Sequence, residues 1–389
     1  MKERSPHIQC ANSSNKFLIY KIIPMKFSVN KESFHTAVAK AERITGKNLS
    51  LPVLRCVLLV ADKNSVLVRS TNLDLGIEVR VPATVSVSGT VAVPADILNS
   101  FLSSSGTGGT LSIEQDGTFI TVIAPHSTTN ITLFNNEEFP LLPKVAENEL
   151  FTVVGKEFAQ ALRSVVWSAS MTSIKPELSS VYVYGNGEEL ILVATDSFRL
   201  AEKKVRARTG KGFETLLIPL KNAVELIRYV EACDDTTLFG DTHQLCIQTE
   251  DTYITSRVID GSFPDYKQIL PKEFHTEVVV LKQDLADALK QLRVFSDKFN
   301  KLTLNIKPSA KECILKTTNS DIGDTTVVLD AALTGEDLEM HFNHAYVVDA
   351  LQAIPTDSVA LQFAGAGKPL NIKAVGDNSF TYIVMPMNR

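Results

Sequence analysis

Ile218-Pro219-Leu220-Lys221-Asn222-Ala223-Val224-Glu225-Leu226-Ile227 decides the fold. An apolar β-type segment ends at Ile218, a proline follows, and an amphipathic helix begins. Proline is tolerated in the first helical turn, because the N–H it lacks would have no partner there. The same punctuation occurs at Val91-Ala92-Val93-Pro94-Ala95-Asp96-Ile97-Leu98. It occurs again without the proline around Phe342-Asn343-His344-Ala345-Tyr346, where Asn343 has the chemistry of an N-cap. Pro94, Pro219 and Asn343 stand 125 and 124 residues apart. Three copies at one spacing indicate a tandem repeat.

The flanking segments obey the same period. Phe27-Ser28-Val29 alternates as a half-buried strand, and a helix over about 30–44 aligns Phe34, Ala37, Val38, Ala41 and Ile44 on one face. Strands are expected at 53–61, 65–70 and 76–81, a second helix from Pro94 to about Ser103, and strands at 111–114, 120–123 and 131–134. The opening unit returns at 151–170 and at 278–295, with Lys31, Lys156 and Lys282 in step. The closing unit returns as Phe139-Pro140, Phe263-Pro264 and Met385-Pro386. Each repeat reads strand, helix, strands, helix, strands. That mixture implies an α+β domain, an antiparallel sheet with two helices on one side. The expected domains are 25–147, 148–274 and 275–389, curving so that all six helices share a side. Residues 1–24 do not match the repeat. They form a leader that is flexible or precedes the natural start at Met25, and Lys21 interrupts the only short apolar run that could resemble a secretory signal.

Composition narrows the function. The 389 residues are 44% apolar and 21% charged, which builds ordinary cores, and no apolar run reaches 18 residues. The five cysteines, Cys10, Cys56, Cys233, Cys246 and Cys313, are scattered and form no CxxC pair, which fits reduced, buried thiols in a cytoplasm. A net charge of −5 means that a nucleic-acid partner would have to meet a local patch.

At Ala194-Thr195-Asp196-Ser197-Phe198-Arg199-Leu200-Ala201, at Ile259-Asp260-Gly261-Ser262-Phe263-Pro264-Asp265-Tyr266 with Leu270-Pro271, and at Met385-Pro386-Met387, the chain resembles the bacterial DNA polymerase III β subunit family, the sliding clamps. The resemblance runs from Met25 to Arg389. It implies a head-to-tail homodimer closing a ring of clamp-type domains around double-stranded DNA, with no catalytic activity, no cofactor and no metal. The implied partners are a replicative DNA polymerase subunit, a clamp loader and other proteins with a clamp-binding motif, all without a membrane. A monomeric interaction scaffold using the same pocket without encircling DNA is the alternative.

The resemblance also assigns residues. A peptide-binding pocket between the second and third domains is implied, lined by Leu178, Thr195, Ser197, Phe198, Arg199, Leu200, Pro264, Ile269, Asn343, Tyr346, Met385, Pro386 and Met387. Apolar walls with adaptable methionines suit a short motif whose Leu or Phe side chains fill them. The chain departs from the family pattern in carrying Ser197-Phe198 for Gly-His and Asn388 before Arg389. Lys40, Arg43, Lys47, Lys156, Arg163, Lys221, Arg228, Lys282 and Lys290 are expected to face DNA. Ten basic and nine acidic residues in the expected helices give them a net charge of about +1, a small asymmetry of the right sign. Val294 leaves the core face of its helix and Phe295 borders it, and the family match puts both against the other subunit near Ile131. Trp167 is expected on the helix face opposite the core, with Lys156, Gln160 and Arg163. The run Lys203-Lys204-Val205-Arg206-Ala207-Arg208 with Lys211 is either a solvated strand and turn or a phosphate contact.

Enzyme motifs fail on inspection. Gly367-Lys368 has Gln362 where a P-loop needs glycine and Pro369 where it needs Ser or Thr. His341 and His344 lack a third zinc ligand nearby and read as surface histidines. Residues 319–324 lack the later bidentate Glu of a calcium loop. Asp196 and Asp265 lie in motif loops with no nucleophile or base beside them in sequence.

Overall fold

The computed structural model describes residues 24–46, 50–106, 108–145, 148–172 and 174–387. The expected leader, Lys47, Cys10 and the Asn388-Arg389 terminus lie outside these. The chain forms two compact units, the first from Met1–Glu42, Leu51–Val68 and Arg80–Phe139, the second from Arg43–Ser50, Arg69–Val79 and Pro140–Arg389. Six helices appear among the described residues: α1 (Lys31–Glu42), α2 (Ala95–Ser104), α3 (Gly155–Val165), α4 (Leu220–Val230), α5 (Lys282–Arg293) and α6 (His344–Ala353). None is long and apolar enough to cross a membrane.

In the first unit, Lys26–Asn30 pairs antiparallel with both the end of Leu75–Val87 and Thr110–Asp116. Phe119–Ala124 and Ser127–Thr132 continue that sheet, and Ser127–Thr132 ends it. Helix α1 turns Phe34, Ala37, Val38 and Ala41 inward as its periodicity predicts, and Phe34 meets Phe27 edge to face at 6.2 Å. Two expected strands shift. Residues 52–55 form a 3-10 turn because Pro52 leads it, so the strand begins at Cys56. The last strand is Ser127–Thr132 rather than 131–134, with Phe134 making only a bridge to Ala92.

The second unit holds a nine-stranded antiparallel sheet in which Thr215–Pro219, Ser180–Asn186, Glu189–Thr195 and Arg199–Arg206 continue into Phe380–Val384, Leu370–Ala374, Ser358–Phe363, Thr276–Leu281 and Ala331–Gly335. A four-stranded sheet runs Gly323–Val328, Glu312–Asn319, Lys301–Lys307, Leu338–Asn343. Residues 75–79 pair antiparallel with Thr252–Arg257. Phe158, Ala161, Leu162 and Val165 of α3 are buried, as are Leu226, Ile227 and Val230 of α4.

The repeat is visible atom by atom. Pro94, Pro219 and Asn343 are the N-caps of α2, α4 and α6, each with φ between −51° and −74° and ψ between 117° and 136°. The prolines therefore stand one position before the first helical residue rather than inside the first turn, since an extended ψ suits a residue that also closes a strand. Asn343 accepts a hydrogen bond from the Ala345 N–H at 2.9 Å, as an N-cap should. A second equivalence joins each helix pair. The first N–H of α1, α3 and α5 donates to the carbonyls of Gly109, Asp234 and Asp357 respectively, each beyond the end of the second helix. Lys31 Nζ then reaches the Gly106 carbonyl, and Lys282 Nζ the Ile354 carbonyl at 2.6 Å. A cation there answers the negative end of the helix dipole. The middle repeat uses Gly155 instead, where an added Cβ would lie 2.2 Å from the Val230 carbonyl oxygen. Lys282 is thus a structural cap, which corrects its expected place facing DNA, and its true counterparts are Lys31 and Gly155 rather than Lys156.

These contacts give a stability prediction. Lys282→Met removes a charge-assisted bond and should lower unfolding free energy by about 1–2 kcal/mol. Gly155→Ala, which forces backbone apart, should lower it by about 2 kcal/mol or more. Denaturant midpoints check both, and a wild-type midpoint for Gly155→Ala would refute the close approach.

Candidate functional site

The candidate site is built on the turn 195–200, which joins the strands Glu189–Thr195 and Arg199–Arg206. Thr195 Oγ1 donates to the Arg199 carbonyl at 2.6 Å and accepts from the Ser197 N–H at 3.1 Å. Asp196 Oδ1 accepts from the N–H groups of Phe198 and Arg199 at 2.9 and 3.0 Å. Two short polar side chains thus take over the backbone pairing that the turn interrupts. They hold Ser197 at φ 77°, a left-handed conformation that glycine adopts most easily. The turn ejects Phe198, which is 63% exposed. The same turn recurs at 71–75: Leu73 has φ 80°, Thr71 Oγ1 bonds the Leu75 carbonyl, and Asn72 Oδ1 accepts from Asp74 and Leu75. Sequence reading missed this copy, although Thr71-Asn72-Leu73-Asp74-Leu75 lies 124 residues before its partner.

Arg199 is the electrostatic centre. Its Nε donates to Asp196 Oδ2 at 2.9 Å and its Nη1 to Asp349 Oδ2 of α6 at 2.5 Å. The guanidinium carbon lies 4.5 Å from the Tyr346 ring centroid and 5.5 Å from that of Trp167. Burial pulls the Arg199 pKa down, but Tyr382, Asp196 and Asp349 outweigh it and hold the group above its ordinary value. A half-buried cation with two carboxylates and two ring faces is fully paired, and removing one partner would leave charge uncompensated. Trp167 therefore does not lie on the face of Lys156, Gln160 and Arg163. After Val165 the chain tightens into the 3-10 turn Val166–Ser168, which swings the indole against Tyr382 at 4.9 Å.

Strand alternation sends Leu200 to the opposite face. There it is 1% exposed, packed with Ile191, Val193, Tyr266 and Ile383, with Phe263 and Leu270 beside them. Tyr266 donates to Glu202 Oε2 at 2.5 Å and shares a hydrogen bond with the Tyr184 hydroxyl at 2.8 Å, and burial followed by these bonds pushes its phenol far up. Tyr182 stacks on Phe263 at 4.7 Å. The turn Tyr266–Ile269 carries Ile269, 47% exposed, with Pro264 also exposed before it. On the other side, Met385 N–H donates to the Phe198 carbonyl and Met387 N–H to the His341 carbonyl, both at 2.8 Å, so Pro386 is strapped between them.

Among the expected pocket residues, Phe198, Ile269 and Met385 keep apolar surface open, whereas Leu178, Thr195 and Leu200 are buried. The last three, with Asn343 engaged as a cap, shape the wall rather than present it. Trp167, Asp349 and Glu202 belong to the same constellation and were not anticipated.

The basic candidates sort similarly. Arg43, Lys156, Lys221, Arg228 and Lys290 are exposed and Lys40 is half-buried. Arg228 lies 3.8 Å from Glu225. Arg163 makes a two-pronged pair with Glu231 at 2.6 and 2.5 Å, so its charge is already answered. In the expected basic run, Lys203 Nζ donates to Ser379 Oγ at 2.6 Å and Arg208 pairs with Glu149 at 3.1 Å, structural uses of both. Val294 is 67% exposed and Phe295 half-buried. Ile131 is only 4% exposed and turns its side chain into its own unit, whereas Phe119 and Ile123 on the neighbouring strand are 44% and 40% exposed. His344 is no surface histidine either. It is 3% exposed and donates from Nε2 to the Leu289 carbonyl at 2.7 Å, tying α6 to α5. Cys56, Cys246 and Cys313 are buried and Cys233 half-buried.

Three family models match the chain in order: DNA polymerase III beta subunit, N-terminal domain over residues 25–143, central domain over 152–265 and C-terminal domain over 267–388. The beta sliding clamp of Synechococcus elongatus is 28% identical over 371 residues, covering 93% of this chain and 99% of that protein. The beta sliding clamp of Synechocystis is 27% identical over 387 residues, with the same two coverages. The crystal structure of the Bacillus subtilis sliding clamp superposes with a TM-score of 0.89 at 22% identity, covering 94% of this chain and 99% of that one. A Pseudomonas aeruginosa clamp bound to griselimycin gives 0.88 at 22%, covering 94% and 100%.

His344 yields a pH prediction. Burial is the main cause holding its pKa below the ordinary 6.5, against the pull of the Leu289 carbonyl. The unfolded chain therefore takes up a proton at about pH 6.5 that the folded chain refuses, so stability present above pH 6.5 is lost as pH falls through that value. Thermal midpoints between pH 7.5 and 5 should fall, and His344→Gln should flatten the slope; an equal slope in both proteins would exclude this histidine as its source.

Proposed function

Because the chain belongs to the DNA polymerase III β subunit family, we propose that it is a sliding clamp: a ring that encircles duplex DNA and tethers the replicative polymerase and other partners. The observation that carries the ring is the strand arithmetic of the repeats. Residues 75–79 pair with Thr252–Arg257, and 199–203 pair with Phe380–Val384. The third equivalent strand, Gly323–Val328, ends its sheet, and so does Ser127–Thr132, the first repeat's counterpart of Thr252–Arg257 and Phe380–Val384. A second copy supplies each strand with the partner its sisters already have, giving a head-to-tail homodimer. Exposed Val294 on one side, and Phe119 and Ile123 on the other, supply apolar surface for that contact.

We set the three domains at 25–147, 148–274 and 275–389, with residues 1–24 preceding the repeat. The helices, with the turn after α1, lend DNA a thin positive lining of Lys40, Arg43, Lys156, Lys221, Arg228 and Lys290. A thin lining suits sliding, since each phosphate contact adds a salt-dependent hold and strong ones would pin the ring. The Phe198–Met385–Ile269 surface receives a short linear motif through Leu or Phe anchors, and by it the clamp holds a polymerase subunit and its loader in the cytoplasm. The clamp contributes topology rather than catalysis.

Three outcomes are expected. Protein loaded on nicked circular duplex should stay bound and be released on linearising; equal retention on both forms would sink the ring. Sedimentation at micromolar concentration should give twice the 42.6 kDa chain mass, whereas a persistent single-chain species would favour a monomeric scaffold. Phe198→Ala should weaken binding of a short Leu-Phe peptide about tenfold, ~1.4 kcal/mol, with the melting profile kept.

A further inference from the structure

We infer that Trp167 is a positioning residue of the peptide site, setting the Phe198 tip through Arg199; the inference rests on the pocket reading above. The linkage can be followed contact by contact. The indole packs on Tyr382 at 4.9 Å, and the Tyr382 hydroxyl donates to the Tyr346 carbonyl at 2.9 Å. Trp167 and Tyr346 both bring their rings to the Arg199 guanidinium, at 5.5 and 4.5 Å. Asp349 takes one end of that guanidinium and Asp196 takes Nε. Asp196 is the decisive joint, because its other oxygen holds the N–H groups of Phe198 and Arg199. A guanidinium that tilts therefore drags the carboxylate that defines the turn, and with it the most exposed aromatic of the site.

The indole N–H is buried without a hydrogen-bond acceptor. An orphaned donor is unfavourable, so what holds this side chain in place is the contact of its ring rather than its polar atom. Phenylalanine would keep most of that ring surface and remove the orphan; alanine would remove both. Trp167 is also the only tryptophan in the chain, so its emission reports this one position.

The test measures binding of a fluorescein-labelled Leu-Phe peptide to the full chain by anisotropy, with thermal midpoints recorded alongside. Trp167→Ala should weaken binding about tenfold, while Trp167→Phe should stay within about twofold of wild type, with an unchanged or raised midpoint. On an Arg199→Met background, Trp167→Ala should add no further loss, because the path runs through that arginine. Saturating wild type with unlabelled peptide should shift the indole emission. If Trp167→Ala binds as wild type while Phe198→Ala weakens binding, the inference is overturned and the pocket stands. If neither variant weakens binding, both fall. Should Trp167→Ala not fold, an emission spectrum indifferent to saturating peptide overturns the inference on the wild-type protein alone.

Discussion

Everything at the site depends on the antiparallel pairing of Arg199–Arg206 with Phe380–Val384. That ladder makes one sheet of strands from two repeats, and it fixes which residues meet. Arg199 stands opposite Val384 and Leu200 opposite Ile383, so the cation faces the helices and the leucine faces the Tyr266 turn. A slip of one residue would exchange the two faces and bury a guanidinium among apolar side chains. The register is pinned at both ends. Met385 N–H reaches the Phe198 carbonyl at 2.8 Å at one end, and Lys204 N–H reaches the Ser379 carbonyl at 2.7 Å at the other. Lys203 adds a side-chain tie to Ser379, half-buried enough that its ammonium pKa is lowered while Asp377 pulls it back.

Much of this was legible in the sequence because repeats record the same physical demand three times. Asn343 shares no side-chain chemistry with Pro94 and Pro219, yet all three meet the backbone requirement of an N-cap, and their spacing exposes the fold. Helical periodicity places the α1 core residue by residue. What escaped was anything decided by a neighbour distant in sequence. A lysine at a helix start looks the same whether it meets phosphate or, like Lys282, a carbonyl 72 residues away. Helical spacing misplaces Trp167, because beyond Val165 the chain changes to a 3-10 turn. Packing also buries the side chain of Ile131, expected at a subunit interface, and that of His344, expected at the surface. No local pattern reveals that.

The site also shows how the chain manages without glycine at its tightest turn. Ser197 is held left-handed by the Thr195 and Asp196 side chains, and the Thr71–Asn72 pair does the same for Leu73. Strain is thus confined to single residues, each with its N–H held by a threonine hydroxyl two residues before it. Its return is an aromatic, Phe198, presented on a stiff base rather than a mobile loop.

Two of the strands that end their sheets, Ser127–Thr132 and Gly323–Val328, carry a consequence for stoichiometry. A protein with complementary sticky borders can polymerise as an open filament as readily as it can close. Which occurs is set by twist, because a few degrees at each shared ladder accumulate along the chain. A substitution in the buried faces of those sheets can therefore leave every protomer folded and still change how many copies complete a circuit.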